Sequence, residues 1–328
     1  MFGPASCRSW AAPNGARAKL RGRYEWLQNT PPQPKKDTST LGKPADPPRT
    51  LPPYIQSKRM HFALFFLLLW VVFCAHAEQQ PSCVGITGTA QLWSLPGVRF
   101  TIVGEMHGTA ETPIIFRDLV CSAFGAKRPI LVGVELREQH EVDVFMRSGN
   151  DEVAVRNLLS AEEWSRSDGR SSRAMLMLLK ELRAFKLKGF ISGVVAFADT
   201  FPQESAAQGE KRMAAALQAA ASKNPDALVI VLVGNVHACK GTLPDVGPYP
   251  PMASFLPAAE TVSLFVTDRG GEAWNCQGGG CGPHKLGSSG GNERGITLSP
   301  GASPLPGYDG VLSTGLKATA SSPAIGKQ

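Results

Sequence analysis

Five short apolar, β-branched runs separated by stretches of helical period constrain this chain more than any other feature. The runs are residues 98–103 (VRFTIV), 129–134 (PILVGV), 189–198 (GFISGVVAFA), 227–233 (ALVIVLV) and 261–266 (TVSLFV). Helical spacing occupies residues 112–124, 139–146, 173–188 and 203–221. In the third of these, Met175, Leu178, Leu179, Leu182 and Phe185 share a stripe opposite Lys180, Arg183 and Lys186, which reads as a core-facing helix. Continuous apolar strands alternating with helices predict an α/β fold, a mostly parallel sheet with helices on both faces in a single domain.

The N-terminal part reads differently. Residues 1–59 hold ten prolines and few aliphatics, too little apolar surface to offset the entropy of ordering, so we read them as a disordered extension or as the product of a mis-assigned start. Residues 60–77 then carry HFALFFLLLWVVF and end in Ala75-His76-Ala77. The apolar core is shorter than the roughly 20 residues of a spanning helix and stops at a small-residue cleavage pattern. A buried helix lacks that pattern, and Phe73 before Cys74 argues against a lipoprotein signal. The expectation is a secretory signal peptide, a mature chain from Glu78, a periplasmic or secreted destination and no stable membrane span afterwards. The α/β domain is then expected over 78–281, with residues 282–328 as a loosely ordered Gly-, Ser- and Pro-rich tail containing one strand near 308–312.

Removing residues 1–77 changes the charge argument. The whole chain is +7, but the mature part holds 23 Lys and Arg against 24 Asp and Glu, so its composition offers no basis for nucleic-acid binding. Five of the seven cysteines, Cys83, Cys121, Cys239, Cys276 and Cys281, follow the cleavage site. The expected pairs are Cys276 with Cys281 and Cys83 with Cys121, leaving Cys239 as a thiol.

Polar residues gather where strands end. Gly104-Glu105-Met106-His107-Gly108 follows the first run, Glu135 the second, Asp199 the third and Gly234-Asn235-Val236-His237 the fourth. Parallel strands share one carboxyl edge, where open α/β folds bind ligands. Taken singly, such a His or Glu is a capped or solvated loop residue. Two of the four mature histidines in the same Gly-x-x-His position point instead to a common site. The loop WSRSDGRSS adds Asp168 and Arg170: a helix start capped by Ser171 or Ser172, or a clamp for an anionic group. Asp168, Arg170 and Asp199 are the candidate substrate-binding residues. No Gly-x-Ser-x-Gly elbow follows any of the apolar runs, and no P-loop or dinucleotide fingerprint occurs.

GEMHG, GVELR and VLVGNVHA, in this order and each after a strand, resemble the superfamily that joins erythromycin esterases, haem-binding ChaN-like proteins and Tiki/TraB metalloproteases. The one-residue gap between Glu105 and His107 is similar to the ChaN-like branch. The resemblance implies that Glu105, His107, Glu135 and His237 form the polar site. Two mechanisms fit these residues. Neutral His107 acts as base on a water, with His237 as acid or oxyanion stabiliser. Otherwise His107, His237 and Glu135 hold Mn or Zn. The expected function is hydrolysis of an ester or amide, with reversible haem binding as the alternative, so the expected ligand is a small molecule or haem.

Overall fold

The computed structural model describes residues 83–199, 201, 203–242, 248–278 and 280–326. The extension, the apolar run and the expected cleavage site lie outside them. Among the described residues no helix is long and apolar enough to cross a membrane.

Each of the five apolar runs forms a strand: β1 (Phe100–Glu105), β2 (Ile130–Val134), β3 (Gly193–Ala196), β4 (Leu228–Gly234) and β5 (Thr261–Thr267). They pair in parallel in the order β3-β2-β4-β1-β5. In β4 the side chains of Leu228, Ile230 and Leu232 enter one core and those of Val229, Val231 and Val233 the other. Both faces of the strand are covered, which is why its sequence shows no polar alternation.

The helices divide between those cores. On one face lie α2 (Glu111–Ser122), α3 (Gln139–Arg147), α4 (Asp151–Leu159) and α5 (Arg173–Leu187). On the other lies α6 (Ala206–Ser222), which buries Met213, Ala214, Leu217 and Ala221. A short α1 (Thr89–Trp93) precedes β1, and the single turn α7 (Asn235–Ala238) follows β4. The chain thus leaves β1 and β2 toward the first face, but leaves β4, which lies between them, toward the second. That divergence opens crevices at the carboxyl end of β4.

The C-terminal part corrects the sequence reading. Residues 269–277 and 280–288 form an antiparallel hairpin, β6 (Arg269–Gln277) and β7 (Gly280–Ser288), so the expected boundary at 281 falls inside β7. Beyond it, β8 (Gly295–Thr297) and β9 (Gly310–Ser313) extend the main sheet to seven strands, β9 pairing in parallel with β5. The last residues are laced to the site loops. Ala110 N–H donates to Thr319 O at 2.9 Å, Ser321 N–H to Gly108 O at 2.8 Å and Ala324 N–H to Ser171 O at 2.9 Å. Such main-chain bonds are indifferent to side-chain hydrophobicity, so this order leaves no apolar period in the sequence. Helix α4 also lacked a clear signal, although Asn150 caps it by accepting from Val153 N–H at 3.0 Å.

Cys276–Cys281 and Cys83–Cys121 are disulfide-bonded, and among the described residues Cys239 is the free, buried thiol. The first bond closes the tip of the β6–β7 hairpin.

Candidate functional site

Glu105 is the last residue of β1, His107 lies two residues beyond it, Glu135 follows β2, and His237 sits in the turn after β4. In register, Glu105 stands beside Gly234. The two Gly-x-x-His segments therefore meet, and each glycine makes room for the other segment. A Cβ at Gly104 would lie 2.8 Å from Ala238 Cβ and 3.1 Å from Asn235 Cα. One at Gly234 would lie 2.9 Å from His107 Nε2 and 3.3 Å from Glu135 Oε2.

Glu135 is the hub. Its Oε2 accepts from Gly234 N–H at 2.6 Å and lies 3.3 Å from His107 Nε2. Its Oε1 lies 3.7 Å from His237 Nε2 and accepts from Arg170 Nη1 at 3.4 Å. The far nitrogen of each imidazole is held by a second carboxylate. His107 Nδ1 is 3.0 Å from Glu105 Oε1, and His237 Nδ1 is 2.7 Å from Glu210 Oε1. Glu105, Glu135 and Glu210 are all buried, whereas the histidine side chains retain 21% and 27% exposure, so a ligand can reach the rings but not the carboxylates behind them.

The loop before α5 delivers Arg170. Asp168 Oδ2 accepts from its Nε at 3.2 Å and from its Nη2 at 2.5 Å, fixing the guanidinium toward Glu135. Ser172 caps α5 by accepting from Met175 N–H at 3.2 Å, as the helix-start reading of WSRSDGRSS expects, while Arg170 is engaged by the protein's own Asp168 and Glu135. Asp199 is outside the cluster. Its Oδ1 accepts from Glu138 N–H at 2.8 Å, and it lines a neighbouring cavity of about 290 Å³ with Arg137, Glu138, Glu162, Glu163, Arg166 and Phe201. Strand β3 lies at the sheet edge, one strand away from the crevice beside β4.

Glu210 was not anticipated. It lies on the buried face of α6, where its other oxygen accepts from Met252 N–H at 2.7 Å. A signal existed: Glu210 occupies the helical stripe of Met213, Ala214, Leu217 and Ala221, an odd place for a carboxylate unless it is partnered.

The electrostatics correct the expected role of His107. Burial opposes its charge, but Glu135 and Glu105 on either side outweigh burial and push its pKa up to about 10. Burial, joined by the charge of Glu135, raises the Glu105 pKa against the pull of His107. The pair shares one proton, which we place on His107 because Glu135 flanks that ring as well. At neutral pH His107 is therefore an imidazolium and not a free base. Burial also opposes charge on Glu135, yet His107, His237 and Arg170 hold it well below the usual carboxylate range. Against burial, Glu135 and Glu210 raise the pKa of His237.

Neither expected cofactor fits these residues. Arg170 puts a fixed positive charge beside Glu135, the carboxylate that a Mn or Zn ion would need. Among the described residues no group of three or more His, Cys, Asp or Glu is arranged to hold a metal ion. Haem needs a largely apolar slot and a free imidazole nitrogen. The neighbouring cavity is lined by charged groups apart from Phe201, and both nitrogens of each imidazole face carboxylates.

Fold and site together define a mixed α/β protein with a seven-stranded, mostly parallel sheet and a His/Glu/Arg cluster at its carboxyl edge. No protein-family model and no curated protein matches the chain. Among solved structures it is similar to a Bacillus cereus protein at 12% identity, TM-score 0.44, over 70% of this chain and 91% of that one. It is also similar to the type III effector HopBA1 at 13% identity, TM-score 0.42, over 72% and 98%. The Pasteurella multocida toxin, whose C-terminal region is described as having a thiol-protease-like catalytic triad, matches at 11% identity and TM-score 0.35, with 71% of this chain covering 31% of that one.

Proposed function

We propose that this protein is an exported hydrolase that activates water on an ester or amide without a metal ion. The observation that carries the reading is the asymmetry of the two histidines. His107 is locked between Glu105 and Glu135. His237 is anchored by Glu210 at 2.7 Å on Nδ1, its Nε2 stands 3.7 Å from Glu135, and its side chain is the more exposed of the two. Deprotonated His237 takes a proton from water, and Glu210 fixes the ring and stabilises the imidazolium that forms. The water oxygen attacks the carbonyl carbon. Charge developing on the carbonyl oxygen is stabilised by the His107 imidazolium and by Arg170, both already oriented by Glu135. The His237 proton then passes to the leaving group. The resemblance to the erythromycin esterase, ChaN-like and Tiki/TraB superfamily supports the same residues, and we propose that the chain belongs with it.

A panel of p-nitrophenyl esters tests this. Hydrolysis should emerge as pH rises through the elevated His237 pKa and decline again near pH 10, where His107 loses its proton. His237→Ala should lower kcat by roughly 10²–10⁴-fold, and Glu210→Gln by at least about tenfold. A wild-type protein inert toward every ester, or a fully active His237→Ala variant, would sink the proposal.

Export is supported by the apolar run ending in Ala75-His76-Ala77 and by the two disulfides, which persist in oxidising compartments. N-terminal sequencing of exported material should begin at Glu78. Secreted protein still carrying residues 1–59 would refute it.

A further inference from the structure

The cavity beside the cluster has a chemistry of its own. Glu138 and Arg137 follow Glu135 out of β2, Asp199 lies beyond β3, and Glu162, Glu163 and Arg166 come from the loop that continues to Asp168 and Arg170. Arg166 Nη1 stands 3.5 Å from Asp168 Oδ2, which joins the cavity wall to the clamp on Glu135. The lining holds four acidic side chains, Glu138, Glu162, Glu163 and Asp199, against two guanidinium groups, and burial raises the pKa of Glu138 and Glu163.

These acids are incompletely partnered. Glu163 is only 2% exposed, and neither of its oxygens has a hydrogen bond, although Arg166 Nε and Arg137 Nε approach Oε2 to 3.2 and 3.6 Å. Glu138 Oε2 is likewise buried without a hydrogen-bond partner. Buried polar atoms of this kind are rare, and several around one cavity point to donors supplied by a ligand. Glu138 also adopts a left-handed backbone with φ of 62°, uncommon for a residue with a Cβ, and Asp199 secures it through the Glu138 N–H. Phe201 adds an exposed aromatic ring with Arg212 over one face, 4.9 Å from its centroid.

We infer that this cavity binds a primary ammonium group and selects substrates that carry one. An ammonium brings three donors and one positive charge, matching Glu138 Oε2, Glu163 Oε1 and the excess of acidic groups, while Glu163 Oε2 already faces Arg166 and Arg137. Phe201 contributes its ring by cation–π attraction. The cavity adjoins the cluster through Arg166 and Asp168, so the cation sits to one side of the scissile bond. As a substrate subsite this rests on the hydrolase reading, but ammonium binding stands independently of it.

The test is titration of the whole mature protein with n-butylammonium, n-butanol and butyrate, followed by amide chemical shifts. The ammonium should saturate, with the neutral and anionic probes at least tenfold weaker. Glu138→Gln combined with Asp199→Asn should weaken the ammonium at least tenfold and leave the thermal midpoint nearly unchanged. Phe201→Ala, at an exposed position, provides a second variant expected to weaken it several-fold. Equal binding of all three probes, no saturable binding, or full affinity in both variants would overturn the inference. Ammonium binding by a protein inert toward esters would leave this site standing and remove the hydrolase reading; ester hydrolysis without ammonium binding would do the reverse.

Discussion

Replacing Glu135 with Gln is expected to destabilise the folded domain by about 3–5 kcal/mol, the magnitude found when one partner of a buried ion pair is removed and the others are left uncompensated. The side chain keeps its shape, but His107, His237 and Arg170 lose the anion they share. The pH dependence should change with it. His107 has a folded pKa of about 10, above its ordinary 6.5, so its contribution is fully present below about pH 6.5 and is lost as pH rises through 10. Glu135 is shifted the other way, so its contribution is present above about pH 4.5 and is lost on acidification. Urea denaturation of the parent should therefore weaken toward both ends of the range. In Glu135→Gln the acid arm shrinks to what Asp168, also held low by Arg170, contributes, and the alkaline arm shrinks because His107 then titrates closer to 6.5. Imidazole NMR titrations beside the denaturation series check this directly. A parent His107 titrating near 6.5, or an unchanged urea midpoint in the variant, would show that Glu135 is not the hub.

Gly108→Ala is the second large effect, expected to destabilise by roughly 2–4 kcal/mol from backbone strain and overpacking together. Gly108 has a φ of 78°, and a Cβ there would collide with the Trp274 carbonyl oxygen. That obstacle is backbone and cannot rotate away. The same residue accepts from Trp274 N–H at 2.9 Å and from Ser321 N–H at 2.8 Å, while Trp274 Nε1 donates to Ser167 O at 3.1 Å. The methyl group thus lifts the β6–β7 hairpin and the C-terminal segment off the loops bearing His107 and Arg170. Limited proteolysis should cut faster within 269–288, and the urea midpoint should fall. Gly125→Ala, which meets open space, serves as the control and should stay within about 0.5 kcal/mol of the parent. Equal protease resistance in Gly108→Ala and Gly125→Ala would refute the proposed docking.

The parallel sheet was legible in the sequence because its signal is local. Strand β4 is apolar at seven consecutive buried positions, a pattern that marks a strand covered on both sides wherever it pairs. The placement of Glu105, His107, Glu135 and His237 was legible for a related reason: each lies at the end of such a strand or within three residues of it, and parallel strands deposit their carboxyl ends on one edge. The first turn of α5 was readable from Ser172, since capping acts within three residues. Hairpin β6–β7 was less legible, because it is short of apolar residues and owes its place to Trp274 and to main-chain bonds with Gly108.

What the sequence determined by itself was therefore the set of elements and the edge on which the polar residues gather. Only the tertiary structure decided the partners. Strand order put β4 between β2 and β1, which made Glu135 common to both histidines and left Asp199 to the neighbouring cavity. Packing of α6 on the second face brought Glu210 to His237, and folding buried Glu105 and Glu135 on either side of His107. The physical reason is one of range: strand and helix periods are written in neighbouring residues, whereas a proton's position depends on which charges lie within a few ångströms after the chain has folded.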